Sequence, residues 1–197
     1  RNQRRLSRTF RLMAMRVVSA YRTISSEAVF VIAGMEDSEC YMRRTTRGVR
    51  NIMRAVSMTK WQQEWNTAAN GRWTHRLIPS LSTWVNRKHG EVNFYLTQFL
   101  SGHGCFRKYL HRFGHATSPV CPECRDVEET PEHVVFECPR FEAVRREMPA
   151  LGVENIIEEM CRDETTWNAV SRVVTEILSE LQHKWREEQR SSNAGSR

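Results

Sequence analysis

Three cysteines and one histidine, Cys121, Cys124, His133 and Cys138, form a set of candidate metal ligands within 18 residues. Two residues separate the first two cysteines, eight separate Cys124 from His133, and four separate His133 from Cys138. This pattern suits a tetrahedral zinc site, because two thiolates on a tight turn approach the ion from one side and a later His and Cys complete the coordination. Prolines close to Cys121 favour the turn.

The alternative for these thiols is a disulfide between two of them. No secretory signal is recognisable, which favours a reducing compartment, and a histidine at ligand spacing has no role in a disulfide. We therefore expect Zn²⁺. Four protein ligands leave no open position for catalysis, so the ion is expected to stabilise the folded chain.

A second group of candidate ligands, His103, Cys105, His111 and His115, lies within 13 residues. His111 and His115 share a helix face, so a second metal site is one interpretation. The other is an ordinary amphipathic helix over 105–113. Its inward residues would be Phe106, Tyr109, Leu110 and Phe113, and its outward residues would be Arg107, Lys108 and Arg112.

The charged residues are distributed unevenly along the chain. The formal net charge is +7, but residues 1–120 contain 20 Lys and Arg against 6 Asp and Glu, and residues 121–197 contain 10 against 17. A basic body of this kind suggests a polyanion partner, RNA or DNA. The segment from Cys121 to Cys138 holds six acidic residues against Arg125 alone, so it would repel phosphate. The nucleic-acid contacts are therefore expected from the basic body, and the candidates are Arg5, Arg8, Arg11, Arg107, Lys108 and Arg112.

The apolar spacing predicts a mainly α fold in which a small CCHC zinc knuckle interrupts a helical chain. Helices are predicted over 6–21, from Ser25 or Ser26 to Gly34, and over 41–66, 82–87, 92–100, 105–113, 139–147 and 154–161, with a long helix opening at Asp163. Leu6, Phe10, Met13, Val17 and Tyr21 would form the apolar stripe of the first. No strand pattern appears before residue 120.

The predicted organisation has five parts. They are a basic helical region (1–70), a basic helical connector (71–118), the knuckle (119–141), C-terminal helices (142–190) and a disordered tail (191–197). The longest charge-free apolar stretch is too short to span a membrane. The three Asp residues lie far apart and no glycine-rich phosphate loop is present, so no polymerase or nuclease active site is visible.

Several separated motifs occur in an order that resembles one family. They are residues 8–25 (RTFRLMAMRVVSAYRTIS), Trp61 with Trp65, 71–74 (GRWT), 77–79 (LIP), 94–104 (FYLTQFLSGHG), 106–110 (FRKYL) and the Cys-Cys-His-Cys set. Together they resemble the carboxy-terminal end of the Pol polyprotein of insect non-LTR, type-1 retrotransposable elements, over roughly residues 4–150.

The resemblance implies a parent with an endonuclease and a reverse transcriptase (RNA-directed DNA polymerase) upstream of Arg1, which copy element RNA onto a nicked chromosomal target. Mg²⁺ is then expected only in those missing domains, the location would be nuclear and hence intracellular, and the rest of the polyprotein would be a partner. This chain would begin beyond the polymerase fingers and palm, which fits the absence of an initiator Met.

Two other functions remain open from the sequence. One is a stand-alone zinc-knuckle module that binds RNA or DNA without enzymatic activity. The other is a protein-interaction module built on the long final helix, in which Trp167, Val170, Val174, Ile177, Leu181 and Trp185 form an apolar stripe.

Overall fold

The computed structural model describes residues 2–35 and 50–194 of the protein. The chain divides into two compact units, Arg1–Ser101 (unit 1) and Gly102–Arg197 (unit 2). In the described ranges the chain is mainly helical, and its only β pairing is an isolated antiparallel bridge between Val120 and Glu128. The predicted mainly α fold is confirmed.

Unit 1 is built from helices that pack around a core of buried aliphatic and aromatic side chains. The helices are α1 (Asn2–Val17), α2 (Ser26–Ala33), α3 (Arg50–Thr67), α4 (Arg72–Leu77), α5 (Leu81–Val85) and α6 (Phe94–Ser101). Helix α2 packs against α1 and α6, α4 packs against α6, and α3 packs against α5. The first part of the helix predicted over 41–66 lies outside the described residues.

Helix α2 begins and ends where the sequence predicts. The Ser25 hydroxyl accepts a hydrogen bond from the backbone N–H of Ala28 at 3.2 Å and so caps the first turn. Gly34 adopts φ 63°, and its N–H donates to the carbonyl of Val31 while that of Met35 donates to Phe30. These two hydrogen bonds satisfy carbonyls at the end of the helix. The left-handed conformation at position 34 favours glycine, because glycine has no Cβ.

Helix α1 is rotated relative to the predicted stripe. Met13 and Val17 are 51% and 65% exposed, whereas Ala14, Met15 and Val18 are buried. The helix ends at Val17, and the chain then turns back through a left-handed residue. The chain then leads into α2, which packs on α1. The predicted inward positions of Met13 and Val17 are therefore wrong.

Three tryptophans, Trp65 and Trp84 buried and Trp73 half-buried, link the helices of unit 1 through hydrogen bonds as well as packing. The indole N–H of Trp65 donates to the Ile78 carbonyl at 2.9 Å, and that of Trp73 donates to Phe99 at 2.7 Å. Trp84 donates in the same way to a carbonyl of α2 at 3.3 Å. Each indole buries a large ring without leaving its N–H unsatisfied. Trp61 and Trp65 both lie in the core, as the spacing of four predicts.

Unit 2 consists of helices and short turns, with an irregular segment over residues 113–130. Its elements are α7 (Arg107–Arg112), a π-helical turn (His133–Glu137), a 3-10 turn (Pro139–Phe141), α8 (Glu142–Arg145), α9 (Ile156–Arg162) and α10 (Glu164–Ala194). Helix α10 packs on α9, on α8 and on the π-helical turn. The boundary between the two units follows the last residue of α6, where Gly102 adopts φ 71°.

Helix α10 opens as predicted, with the Asp163 carboxylate accepting from the Thr166 N–H at 2.7 Å. Its apolar stripe is buried from Trp167 to Leu181, which makes it a packing helix of unit 2. The helix continues through Ala194, so residues 191–194 of the predicted tail are helical, with the Ser191 hydroxyl bonded to the Glu187 carbonyl. Residues 195–197 lie outside the described ranges.

Two glycines of unit 1 give a matched test of packing. Gly71 (φ 70°) would place an added Cβ 3.2 Å from atoms of Ala28, Ser25 and Trp65, whereas Gly34 (φ 63°) faces open space. We expect Gly71→Ala to lower the free energy of unfolding by about 3 kcal/mol and Gly34→Ala by about 1 kcal/mol, because only the first adds overpacking to backbone strain. Urea unfolding measures both. Equal losses would contradict the packing around Gly71.

Candidate metal centre

The four predicted ligands lie together in unit 2. The ligand atoms of Cys121, Cys124, His133 and Cys138 all fall within 4.8 Å of one another. The sulfurs of Cys121 and Cys138 are 3.9 Å apart, too far for a disulfide bond. A tetrahedral ion with metal–sulfur bonds of about 2.3 Å sets sulfurs about 3.8 Å apart. The thiols are therefore spaced as the edge of a tetrahedron and could hold a metal ion.

The first two ligands are positioned by a tight turn. The Arg125 N–H donates to the Cys121 carbonyl at 2.9 Å, and the Asp126 N–H donates to the Cys124 carbonyl at 2.7 Å. Arg125 adopts φ 62°, which reverses the chain. The Cys121 N–H then donates to the Val127 carbonyl at 2.8 Å. These bonds close the turn and direct both thiols to one side.

The last two ligands sit at the ends of the π-helical turn. The Cys138 N–H donates to the His133 carbonyl at 2.7 Å, a bond that spans five residues instead of four. The wider turn brings the thiol and the imidazole onto one side of the backbone. Thr130 caps the turn, since its hydroxyl accepts from the His133 N–H at 3.1 Å. Single π-helical turns are uncommon and occur frequently at functional sites.

The imidazole of His133 fits a metal ligand. It is 4% exposed, and its Nε2 has no hydrogen-bond partner among the described residues. The other ring nitrogen, Nδ1, lies 3.4 Å from Oε2 of Glu137. A ligating histidine commonly directs its second nitrogen to a carboxylate, which orients the ring. This arrangement leaves Nε2 for the ion.

Burial favours the protonated form of the Cys138 and Cys124 thiols in the absence of a cation. It raises the pKa of Cys138 to about 12, and the nearby Cys121 thiol adds to the increase. The pKa of Cys124 is raised as well, by desolvation and again by Cys121. A thiolate is the form that binds a metal, so ligation must release these protons.

Glu129 connects the cluster to the N-terminus of α7. Its side chain is 2% exposed and accepts a hydrogen bond from Nη2 of Arg140 at 2.9 Å and from the backbone N–H of Arg107 at 3.1 Å. Its backbone carbonyl accepts from the Lys108 N–H at 3.3 Å. One buried carboxylate thus neutralises a guanidinium and satisfies a free N–H at a helix start. Sequence reasoning counted Glu129 only as one of several acidic residues.

Arg145 supports the π-helical turn from α8. Its guanidinium donates to the Val135 carbonyl at 3.3 Å and to the Cys138 carbonyl at 3.0 Å. Two backbone carbonyls of the ligand-bearing segment therefore share one cation. No local spacing signal in the sequence marks this role.

The second group of predicted ligands does not assemble. In the described part of the chain, the Cys121, Cys124, His133 and Cys138 set is the one group close enough to hold an ion. His103 instead lies against the ring of Tyr109, and burial together with nearby Arg112 lowers its pKa to about 4. Burial raises the pKa of Cys105 to about 11.

Of the three arginines of α1 that are predicted to contact nucleic acid, two are exposed and one is hydrogen-bonded within unit 1. Arg5 and Arg8 are exposed. The guanidinium of Arg11 donates to the carbonyls of Arg22 and Ile24, at 3.0 and 2.7 Å. Arg11 therefore fastens the segment that follows α1 and has a structural role that its sequence position does not reveal.

The predicted contacts of α7 are partly neutralised. Arg107 pairs with Glu188 at 2.5 Å, and Lys108 pairs with Glu128 at 2.6 Å. Arg112 is exposed, and its guanidinium lies 5.8 Å from the ring centroid of Phe113. The six predicted residues are thus distributed over both units.

No helix among the described residues has the length and apolar character needed to cross a bilayer.

Comparison with known proteins finds relatives among retrotransposon proteins of insects. The chain is 28% identical, over 75% of its length, to a retrovirus-related Pol polyprotein from type-1 retrotransposable element R1 2 of Nasonia vitripennis, of which it covers 42%. It is 34% identical, over 64% of its length, to the R1 Pol polyprotein of Popillia japonica, of which it covers 52%. It is 29% identical, over 62% of its length, to that of Bradysia coprophila, of which it covers 11%.

These relatives confirm the resemblance to Pol polyproteins of type-1 retrotransposable elements of insects. The chain spans about half of their length or less. No protein-family model matches the chain, and no solved structure gives a significant match.

Replacing one ligand tests the metal centre. We expect Cys138→Ser to lose the bound ion and to unfold unit 2 at lower urea concentration, because three ligands hold the metal weakly. Cys161→Ser, which changes a thiol outside the cluster, is the control. Metal content by mass spectrometry after dialysis checks both variants. A metal content that is the same in the two variants would rule out the centre.

Substitutions of the adjacent Glu128 and Glu129 test the connection between the ligand cluster and α7. Glu129→Ala leaves the buried Arg140 without its partner and is expected to lower the free energy of unfolding by about 3 kcal/mol. Glu128→Ala removes an exposed partner of Lys108 and is expected to cost at most about 1 kcal/mol. Urea unfolding distinguishes the two. Similar values would mean that the buried ion pair does not hold unit 2 together.

Proposed function

We propose that this chain is a nucleic-acid-binding part of a retrotransposon Pol polyprotein, in which a structural zinc ion holds unit 2 and exposed arginines contact phosphate. The relatives support the polyprotein context. In this proposal, the parent copies RNA into DNA at a nicked chromosomal target in the nucleus, and the catalytic carboxylates belong to other parts of the parent. This chain positions the nucleic acid.

The donor set favours zinc over other metals. Three thiols and one imidazole are soft and borderline ligands that suit Zn²⁺ in tetrahedral geometry, whereas Mg²⁺ and Ca²⁺ prefer oxygen ligands. Four protein ligands would complete the coordination, so the role is structural. When bound, the ion joins the turn that follows Val120 to the π-helical turn.

The distribution of ion pairs is the observation that carries the nucleic-acid assignment. Unit 1 contains 17 Lys and Arg against 6 Asp and Glu, and unit 2 contains 13 against 17. Cations of unit 2 that form ion pairs with carboxylates are Arg107, Lys108, Arg140, Arg146, Arg162, Arg172 and Lys184. The exposed Arg5, Arg8 and Arg16 of α1 have no ion-pair partner among the described residues.

These three arginines can therefore meet phosphate without first breaking an ion pair. They occupy one side of α1, since positions 5, 8 and 16 are separated by about one and about two helical turns. Phosphate contacts of this kind bring little sequence preference but a strong dependence on salt, because each contact releases counterions.

Charge reversal on α1 tests the proposal. We expect Arg5→Glu with Arg8→Glu to weaken binding to RNA and DNA by at least about tenfold and to reduce the slope of log affinity against log salt by about 2. Arg146→Glu with Arg162→Glu changes the charge equally at exposed but ion-paired positions of unit 2 and is the control. Fluorescence anisotropy over a salt series measures both. Equal losses would indicate general charge effects instead of a binding face.

A further inference from the structure

Three aromatic rings, those of His103, Tyr109 and Phe113, make consecutive tilted contacts at α7, and we call them the aromatic ladder. The ring centroids of His103 and Tyr109 are 4.9 Å apart, and those of Tyr109 and Phe113 are 5.0 Å apart, with interplanar angles of 32° and 53°. The inner rings are half-buried, whereas Phe113 is 43% exposed. The ladder therefore ends in a ring that is open to solvent.

The exposure of Phe113 follows from the way α7 ends. Phe113 is the C-cap residue, and Gly114 adopts φ 71° immediately after it. The Gly114 N–H donates to the His111 carbonyl at 3.0 Å, and the His115 N–H donates to the Leu110 carbonyl at 2.9 Å. This pair of hydrogen bonds is the Schellman motif, in which a left-handed glycine ends a helix. The cap leaves the ring at the helix end and outside the core, so its predicted inward position is wrong. Phe106 and Leu110 are buried as predicted.

Cations flank the ladder. The guanidinium of Arg112 is exposed and lies over the ring of Phe113, 5.8 Å from its centroid. The ammonium of Lys108 is also exposed, and its partner Glu128 is a half-exposed carboxylate in a surface pair that water and salt weaken. His103 stays uncharged at neutral pH, because burial and Arg112 lower its pKa. The ladder is thus an uncharged aromatic surface with positive groups at its edge.

We propose that the aromatic ladder is a stacking platform for unpaired nucleobases, and that it gives this chain a preference for single-stranded RNA or DNA. A base would stack on the exposed ring of Phe113, and Arg112 and Lys108 would meet the adjoining phosphates. This inference rests on the proposed nucleic-acid-binding function and adds the class of nucleic acid.

The combination of groups favours a single strand over other partners. Paired bases in a duplex present only their edges, whereas an unpaired base offers a full ring face to an exposed aromatic side chain. Exposed aromatic rings with adjacent cations are typical of surfaces that bind single strands. A protein partner would require an apolar surface around Phe113, but its neighbours Arg112, His111 and His115 are polar and exposed.

Substitutions of Phe113 distinguish stacking from apolar contact. Phe113→Leu removes the ring and keeps an apolar side chain, and Phe113→Tyr keeps the ring. The full-length, metal-loaded chain is titrated into labelled oligodeoxythymidylate and oligouridylate of about 16 nucleotides, and into duplex DNA of the same length, with fluorescence anisotropy as readout. Comparing the first two probes separates single-stranded DNA from RNA.

We expect Phe113→Leu to weaken binding to the single strands by about tenfold while duplex binding and the salt slope stay unchanged, because no phosphate contact is lost. Phe113→Tyr should bind like the unmodified chain. Unchanged single-strand binding by Phe113→Leu, or equal losses in both variants, would overturn the platform but leave the proposed function standing. If the unmodified chain binds none of the three probes, the proposed function itself fails.

Discussion

The buried carboxylate of Glu129 is the interaction on which the arrangement of unit 2 depends. A carboxylate removed from water is stable only when charged or strongly polar donors surround it. Here one donor, Arg140, follows the metal-ligand segment, and the other is the backbone N–H of Arg107 at the start of α7. The segment that carries the four candidate metal ligands and the helix that carries the aromatic ladder are therefore held by the same group.

Features encoded within a few residues could be predicted from the sequence. The four candidate ligands lie together, as their spacing predicts, and the cap at Ser25, the end of α2 at Gly34 and the opening of α10 at Asp163 follow from single residues. The buried stripe of α10 also follows, since its period matches the helix over many turns. In each case the signal lies within the element that it specifies.

Features that depend on distant partners could not be predicted. The buried face of α1 depends on its packing against α2, and a short apolar pattern is compatible with more than one buried face. Arg11 also holds the connecting segment through two carbonyls. The role of Glu129 depends on partners 11 residues ahead and 22 residues behind in the chain. The exposure of Phe113 could be predicted only in part. Gly114 is visible in the sequence, but the spacing of apolar residues does not show that Phe113 occupies the C-cap at the end of the helix.

The π-helical turn has a consequence for which lengths of this segment can be tolerated. Its hydrogen bond spans five residues, so the present separation of His133 and Cys138 corresponds to one π-helical turn. Deleting a residue there would leave an α-helical turn, in which positions four residues apart still lie on one face. Homologous segments should therefore accept a turn that is shorter by one residue, and the eight residues between Cys124 and His133 form a loop whose length is also little constrained.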